Sequence, residues 1–255
     1  MEPYKSFALV YDLFMQEVPY EEWVKYIEKI WERFNCFPEL MAELGCGTGN
    51  LTTLFAKKGI DMIGIDNSPD MLTIAKEKAL SEHLDILYLL QDMREFELYG
   101  TVDCIISLCD SLNYILDEED LLQTFKWVNN YLNPGGLFIF DMNTEYKYKY
   151  ILGDNIFADS YDEAAFIWNN FYDEDKALNE YHLTLFIRQE DTNLYERYEE
   201  IHYEKMYSVS QLIGLIEKAG LEFLAVYDAY SFDPPKENSE RLFFVAREKG
   251  KTDRR

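Results

Sequence analysis

Residues 43–50 read Glu-Leu-Gly-Cys-Gly-Thr-Gly-Asn, directly after a short apolar segment and directly before a predicted helix. Three alternating glycines let the backbone approach a ligand closely and aim its amides at that ligand from the helix N-terminus. Position 50 is Asn, so the Gly-x-Gly-x-x-Gly spacing of dinucleotide-binding folds is not met. Glu43 stands two residues ahead of the first glycine, and its carboxylate suits a cationic amino acid better than a pyrophosphate. The stretch predicts a ligand-binding turn.

Strand-like and helix-like segments alternate around this turn. An amphipathic helix is expected first, over residues 21–34. The expected strands then cover residues 40–44, 62–66, 86–91, 104–108 and 137–141, and the expected helices cover residues 51–58, 69–80 and 118–132. Such alternation predicts parallel strands that are joined by crossover helices.

The pattern changes after residue 143. Three extended segments, separated by short polar turns, predict an antiparallel meander over residues 164–172, 178–188 and 194–205. The first pattern then resumes with a helix at residues 209–219 and strands at residues 223–230 and 241–247. We therefore expect an α/β fold with a doubly wound, seven-stranded, mostly parallel, Rossmann-like sheet, helices on both of its faces, and an inserted three-stranded antiparallel sheet.

This organisation predicts two domains. Residues 1–143 and 208–249 form the ligand-binding domain, in which residues 1–37 are an N-terminal helical cap, and residues 144–207 form an inserted lid.

The composition limits the kinds of partner that we expect this protein to bind. The formal charge is −24, from 24 basic and 48 acidic residues, and would repel a phosphate backbone, so no nucleic-acid partner is expected. The four cysteines form no Cys-x-x-Cys pair, which disfavours disulfides and structural zinc. No apolar run reaches membrane-spanning length and residues 1–20 lack the apolar core of a signal peptide, so we expect no membrane contact and a cytoplasmic location.

Two further acids stand where expected strands end. Asp66, followed by Asn67, ends the second strand, where a carboxylate can accept hydrogen bonds from both ribose hydroxyls of a nucleoside; a helix-capping acid is the alternative. Asp92 follows the third strand and could accept from an adenine amino group, while Met93 could pack on the base or in the core.

Together these residues resemble class I S-adenosylmethionine-dependent methyltransferases over almost the whole chain. The acid-x-Gly-x-Gly-x-Gly element is met by residues 43–49, the second-strand acid by Asp66 and the third-strand acid by Asp92. The resemblance implies S-adenosylmethionine as cofactor, with ribose on Asp66 and adenine near Asp92. It further implies that the cofactor site includes Glu43 at the amino group, Gly45, Cys46 and Gly47 at the methionine part, Asn67, Met71 and Met93 near the nucleoside, and Cys109 and Tyr11.

A finer resemblance concerns the acceptor. Residues 91–96, residues 107–114 and the inserted strands are similar to small-molecule N-methyltransferases that act on amino sugars or on amino acids such as glycine. In those relatives the inserted sheet forms a lid or an oligomer contact. The resemblance implies a small-molecule acceptor with an amine or hydroxyl group, and a monomer or homodimer.

Candidate catalytic groups are those expected to face the acceptor. They are Tyr11, whose ring could stabilise a sulfonium; Asp110, in a stretch that also contains Asn113 and Tyr114; and His202, because histidine is the residue type that most often acts as a general acid or base. Packing, a loop cap and a solvated sheet position are the respective alternatives for Tyr11, Asp110 and His202. The three histidines have no metal-ligand spacing, so no metal is expected.

Two other functions remain open. An NAD-dependent oxidoreductase would also use a glycine-rich turn, although Asn50 and the closing hairpin count against it. A non-catalytic module that binds S-adenosylmethionine would keep the turn and lack an acceptor pocket.

Overall fold

The computed structural model describes residues 7–189 and 192–251. The helices in this range are α1 (Ala8–Phe14), α2 (Tyr20–Phe34), α3 (Asn50–Lys57), α4 (Pro69–Ser81), α5 (Glu118–Tyr131) and α6 (Val209–Lys218). The strands are β1 (Leu40–Leu44), β2 (Asp61–Asp66), β3 (Ile86–Leu90), β4 (Val102–Ser107), β5 (Leu132–Asn143), β6 (Ile156–Ser160), β7 (Ala164–Asp173), β8 (Leu178–Arg188), β9 (Tyr195–Lys205), β10 (Leu221–Asp228) and β11 (Arg241–Glu248). No helix within the described ranges has the length and apolar character needed to cross a membrane.

The larger sheet has seven strands in the order β10-β11-β5-β4-β1-β2-β3. Strands β1 to β5 pair in parallel, whereas β11 pairs antiparallel with β5 and with β10, so the sheet is mixed. The chain moves outward from β1 in one direction to β3 and then returns to β4 on the other side. In such sheets, the crevice at the carboxyl ends of the strands beside this reversal holds the ligand.

Helices cover both faces of this sheet. One apolar cluster joins the sheet to α5 and α6, and a second joins its other face to α2 and α3. The central strands β1, β4 and β5 are mostly buried, with apolar runs such as 104–106 and 137–140, as expected for strands that are covered on both sides. The alternation predicted from the sequence is therefore present.

Local signals set the ends of the helices. The Ser68 hydroxyl accepts a hydrogen bond from the Met71 amide at 3.2 Å, and Pro69 occupies the first helical position of α4. Ser208 and Gln211 form a reciprocal capping box at the start of α6. These caps fix the direction in which each helix leaves the loop before it.

The inserted sheet has four strands, in the order β6-β7-β8-β9, and the prediction of three is wrong. The additional strand β6 pairs antiparallel with β7 at the edge of the sheet. Four of its five residues are exposed, so it has no buried face and lacks the alternation by which strands are recognised in sequence. A π-helical turn, Lys147–Leu152, connects β5 to this sheet.

Strand β9 presents a polar row to the protein interior. Glu200, His202 and Glu204 are buried, while the alternate residues Ile201 and Tyr203 are exposed. The histidine is therefore a buried residue and not a solvated one. Buried ionisable groups are retained where they are paired or have a function. The surface that this row covers is therefore a candidate functional site.

We expect Phe140→Ala in β5 to lower the free energy of unfolding by about 3–5 kcal/mol, because it leaves a cavity in the apolar cluster. Phe140 is fully buried and stacks on Phe138 and Phe244 with ring centroids 4.7 and 5.0 Å away. Urea unfolding measures the change. Phe37→Ala is the control, since Phe37 is 69% exposed. A loss below about 1 kcal/mol would contradict this packing.

Candidate functional site

A cavity of about 600 Å³ opens at the carboxyl ends of β1, β2 and β4, beside the reversal of strand order. We call the part of the cavity beside the glycine turn its polar end and the part beside Tyr114, after β4, its aromatic end. Its lining residues are Tyr11, Tyr20, Glu43, Gly45, Cys46, Gly47, Thr48, Asn50, Leu51, Asp66, Asn67, Ser68, Pro69, Asp70, Met71, Met93, Leu108, Cys109, Ser111 and Tyr114.

The glycine turn is packed against the protein on one side and borders open space on the other. Gly45 has a φ of +69°, and a Cβ there would lie 2.6 Å from the Ser111 side chain. Gly47 has a φ of +53°, and a Cβ there would meet no atom within 4 Å. The turn is thus packed against the protein behind Gly45 and open at Gly47, which leaves room for a ligand against its backbone.

The Asp66 carboxylate ties the turn to the end of β2. Its Oδ2 accepts a hydrogen bond from the Gly47 amide at 2.8 Å, and its Oδ1 accepts one from the Ser68 amide at 2.8 Å. Burial raises the pKa of Asp66 even though these amides oppose the shift. The Ser68 contact is a local turn bond ahead of α4, whose N-cap is Ser68 and not Asp66, and Asp66 lines the cavity.

Glu43 is a nearly buried acid, 3% exposed, that faces the same cavity. Its Oε2 accepts a short hydrogen bond from the Thr52 hydroxyl. Burial raises the pKa of Glu43 to about 8, and the nearby Asp66 adds to the shift. Within residues 7–189 and 192–251 Glu43 forms no ion pair, so a cationic group in the cavity would be its natural counterion.

Helix α1 is fastened over the polar end of the cavity through Asp12. The Asp12 Oδ1 accepts hydrogen bonds from the Thr48 hydroxyl at 2.6 Å and from the Asn50 amide at 2.9 Å, and its Oδ2 pairs with Lys78 at 2.8 Å. This places the neighbouring Tyr11 in the cavity wall. A bound ligand would be partly enclosed by α1.

At the aromatic end, Tyr114 connects the cavity to the buried row of β9. The Tyr114 hydroxyl lies 3.1 Å from His202 Nδ1, and His202 Nε2 lies 3.3 Å from Glu200 Oε2. The Glu200 Oε1 also accepts a hydrogen bond from the Phe7 amide at 3.0 Å. The Tyr181 ring stacks on His202 with centroids 4.6 Å apart. His202 thus lies between the Glu200 carboxylate and the hydroxyl of Tyr114, a residue that lines the cavity.

Asp110 lies behind the cavity wall in a buried ion cluster. Its Oδ1 pairs with Arg241 Nη2 at 2.6 Å, and Arg241 Nη1 forms a short contact with Asp141 Oδ2. Burial disfavours the Asp110 charge, but Arg241 and Lys147 hold the pKa of Asp110 below its ordinary value. The Asp110 carboxylate is therefore charged and forms an ion pair with Arg241.

Most predicted site residues converge on one cavity. Those that line it are Tyr11, Glu43, Gly45, Cys46, Gly47, Asp66, Asn67, Met71, Met93 and Cys109. Asp92 does not line it, because its carboxylate is held by the Arg94 guanidinium at 2.6 to 3.1 Å; a contact of Asp92 with adenine stays a prediction. Asp110 and His202 lie one residue behind the wall.

Three further residues of the site were not predicted from the sequence. Tyr20 and Ser111 line the cavity, and Arg241 clamps the turn after β4. Arg241 directly precedes five apolar residues of β11, and this charge at the start of the apolar run was the available signal; Tyr20 gave none. Among the described residues no group of three His, Cys, Asp or Glu side chains could hold a metal ion.

The chain is similar to known proteins over nearly its full length. A family model for a methyltransferase domain matches residues 41–136. A putative methyltransferase of Geobacillus sp. (strain WCH70) is 36% identical over 245 residues, which are 96% of this chain and 99% of the relative.

Solved structures agree. An S-adenosylmethionine-dependent methyltransferase from Clostridium acetobutylicum has a TM-score of 0.86 and 32% identity, with 98% of this chain and 100% of that chain covered. The sugar N-methyltransferase KedS8 from Streptoalloteichus sp. shares the fold, with a TM-score of 0.77, 16% identity, and 94% and 93% of the two chains covered.

This chain therefore belongs to the S-adenosylmethionine-dependent methyltransferases, with S-adenosylmethionine as cofactor. The residues present fit that cofactor: the open side of Gly47 admits a ligand against the backbone, and the buried Glu43 lacks a cation in the described residues. Nothing in these likenesses supports an NAD-dependent oxidoreductase.

Affinity for S-adenosylmethionine should rise about tenfold per pH unit between about pH 6 and about pH 7.5. The pKa of Glu43 is about 8 in the free protein, so a cationic ligand must displace its proton below that pH. Over this range the ligand's own amino group stays largely protonated. Calorimetric titration measures the dependence. Glu43→Gln should bind more weakly and lose the pH dependence, and an equally steep dependence in this variant would exclude Glu43 as its source.

Proposed function

We propose that this protein transfers the methyl group of S-adenosylmethionine to a nitrogen or oxygen atom of a small-molecule acceptor. The observation that carries the proposal is a single cavity whose polar end suits the methyl donor and whose aromatic end has a hydroxyl backed by a buried histidine. The cofactor supplies a methyl group on a cationic sulfur, which an acceptor lone pair displaces in line. Orientation of such groups contributes up to about 7–11 kcal/mol.

The polar end is the proposed donor site. Glu43 binds the amino group of the methionine part, and the open backbone at Gly47 accommodates that part of the cofactor. Asp66 binds the ribose hydroxyls through the lone pairs of its carboxylate oxygens that the two amide contacts leave unused. Met71 and Met93 pack against adenine. Tyr11 then faces the sulfonium from α1, where an aromatic face attracts a cation.

The aromatic end is the proposed acceptor site. Tyr114 takes a proton from the acceptor as its own hydroxyl proton passes to His202 Nδ1, 3.1 Å away. Glu200, 3.3 Å from His202 Nε2, balances the imidazolium charge. The proton leaves the acceptor along hydrogen bonds in a buried environment, where such transfer contributes about 10²- to 10⁴-fold to rate.

The inserted sheet, residues 144–207, is the proposed lid over the acceptor, on the domain formed by residues 1–143 and 208–249. The support is that the buried row of β9, and not the exposed row, faces the cavity wall through His202. The fold shared with the sugar N-methyltransferase KedS8 supports an amine acceptor. The net charge of −24 favours a small acceptor over nucleic acid, bound by a monomer or homodimer.

A methyl-transfer assay that detects S-adenosylhomocysteine tests the proposal. The panel contains amines, amino sugars, amino acids, hydroxy acids and phenols, each compared with a reaction that lacks acceptor. Product formation that depends on one of these compounds supports the proposal. Cofactor binding without product from any of them would contradict it.

Asp66→Ala should weaken S-adenosylmethionine binding tenfold or more, roughly the effect of losing a hydrogen bond to a charged group. Asp61→Ala is the matched control, because Asp61 is exposed at the other end of the same strand. Calorimetry gives both dissociation constants. If Asp66→Ala bound the cofactor as tightly as Asp61→Ala, Asp66 would not contact the ribose.

Tyr114→Phe should lower kcat about 100-fold on the acceptor found in the panel, since it removes the hydroxyl and keeps the ring. Cofactor affinity should stay within about twofold, because the proposed donor contacts are elsewhere. Tyr99→Phe, at an exposed tyrosine, is the control. Single-turnover kinetics separate the chemical step from product release. A variant that kept half of the wild-type rate would exclude Tyr114 from proton transfer.

A further inference from the structure

Tyr88 lies in β3, the strand at one edge of the seven-stranded sheet. The other residues of β3 are exposed or half-buried, whereas Tyr88 is 7% exposed. It packs in a small apolar cluster with Cys46 of the glycine turn and with side chains of α4 that include Ala75. The buried ring therefore connects the edge of the sheet with the turn that follows β1.

Gly64, in the strand between them, leaves the space in which this ring lies. Gly64 of β2 and Tyr88 of β3 are partners in the register of the sheet. A Cβ at Gly64 would lie 2.6 Å from two carbon atoms of the Tyr88 ring and 3.0 Å from Cys46 Sγ. Glycine inside a strand often marks such a close approach. The ring thus crosses β2 at a place where β2 has no side chain.

The hydroxyl end of the ring reaches the glycine turn at Gly49. This residue has a φ of +74° and is the N-cap of α3. A Cβ at Gly49 would overlap the Tyr88 hydroxyl oxygen and would lie 3.1 Å from Ala75 Cβ. The space behind Gly49 is therefore filled by Tyr88, as the space behind Gly45 is filled by Ser111.

A hydrogen bond does not explain the Tyr88 hydroxyl. Among the described residues, neither this hydroxyl nor the buried Thr53 hydroxyl of α3 has a hydrogen-bond partner. Burial raises the pKa of Tyr88 and the nearby Thr53 opposes the shift, but the two oxygens do not meet in hydrogen-bond geometry. A buried hydroxyl without a partner costs free energy. What this hydroxyl contributes is its contact with the backbone of Gly49.

We propose that Tyr88 is a positioning residue for the cofactor. Its ring and hydroxyl support the turn from behind at Gly49 and so set how far residues 45–48 project into the cavity. Tyr88 is not among the residues that line the cavity, so it acts through the turn. This inference rests on the proposed donor site, since it concerns the backbone against which the cofactor lies.

Calorimetric titration with S-adenosylhomocysteine, together with urea unfolding, tests this role. Gly49→Ala should weaken binding about tenfold or more, because the added methyl group overlaps the Tyr88 hydroxyl and displaces the turn. Gly59→Ala is the matched control. Gly59 also has a positive φ, +88°, but a Cβ there would meet no atom within 4 Å. This control introduces the same kind of backbone strain and should keep the wild-type affinity.

A second change should restore binding to Gly49→Ala. Adding Tyr88→Phe removes the overlapping oxygen, so the double variant should bind S-adenosylhomocysteine at least about threefold more tightly than Gly49→Ala alone. Tyr131→Phe is the control for this change, because Tyr131 packs on Phe96 and Trp127 instead. Tyr88→Phe by itself should weaken binding about threefold through the lost support, while the urea midpoint stays unchanged because no hydrogen bond is lost.

Each outcome decides the proposal. Binding that Tyr88→Phe restores to Gly49→Ala, and that Tyr131→Phe does not restore, supports it. Gly49→Ala binding as tightly as Gly59→Ala, no recovery in the double variant, or equal recovery with Tyr131→Phe overturns it. If Gly49→Ala does not fold, Tyr88→Phe alone decides, and wild-type affinity in that variant overturns the proposal. The proposed donor site fails separately, through wild-type cofactor affinity in Asp66→Ala.

Discussion

The pairing of β1 with β2 continues beyond the end of β1, because the amides of Gly45 and Cys46 both donate to the carbonyl oxygen of Ile65, at 2.8 and 3.0 Å. The Gly47 amide then donates to the carboxylate of Asp66. The glycine turn is therefore held by the strand next to it and not by its own loop alone. With β4 on the other side of β1, the carboxyl ends of three parallel strands define one opening, and the remaining elements are arranged around it.

Two elements from distant parts of the chain lie beside this opening. Helix α1 is fastened by Asp12 to the glycine turn, and β9 brings His202 behind Tyr114. The Phe7 amide, directly before α1, donates a hydrogen bond to Glu200 in β9, so these two elements are also joined to each other. The two ends of the cavity therefore differ in chemistry: backbone and carboxylates lie at the proposed donor end, and Tyr114, with His202 behind it, lies at the proposed acceptor end.

The sequence predicted what depends on local periodicity and on motifs. Alternating apolar segments predicted the seven strands and their helices, and residues 43–50 with Asp66 predicted a ligand-binding turn whose residues line the polar end of the cavity. It did not predict β6, whose residues are mostly exposed, nor the place of Asp92 beside Arg94. Arg241 escaped notice because its importance comes from long-range contacts with Asp110 after β4 and with Asp141 in β5. Such contacts leave no spacing in the sequence, whereas a turn that binds a cofactor does.

The proposed function depends most on a single cavity that binds the methyl donor at one end and the acceptor at the other. A crystal structure with S-adenosylhomocysteine bound is its most direct test. The account predicts the ribose hydroxyls on Asp66, the amino group near Glu43, and the sulfur directed toward Cys109 and Tyr114. A ligand bound outside this cavity, or with its sulfur directed away from Tyr114, would contradict it.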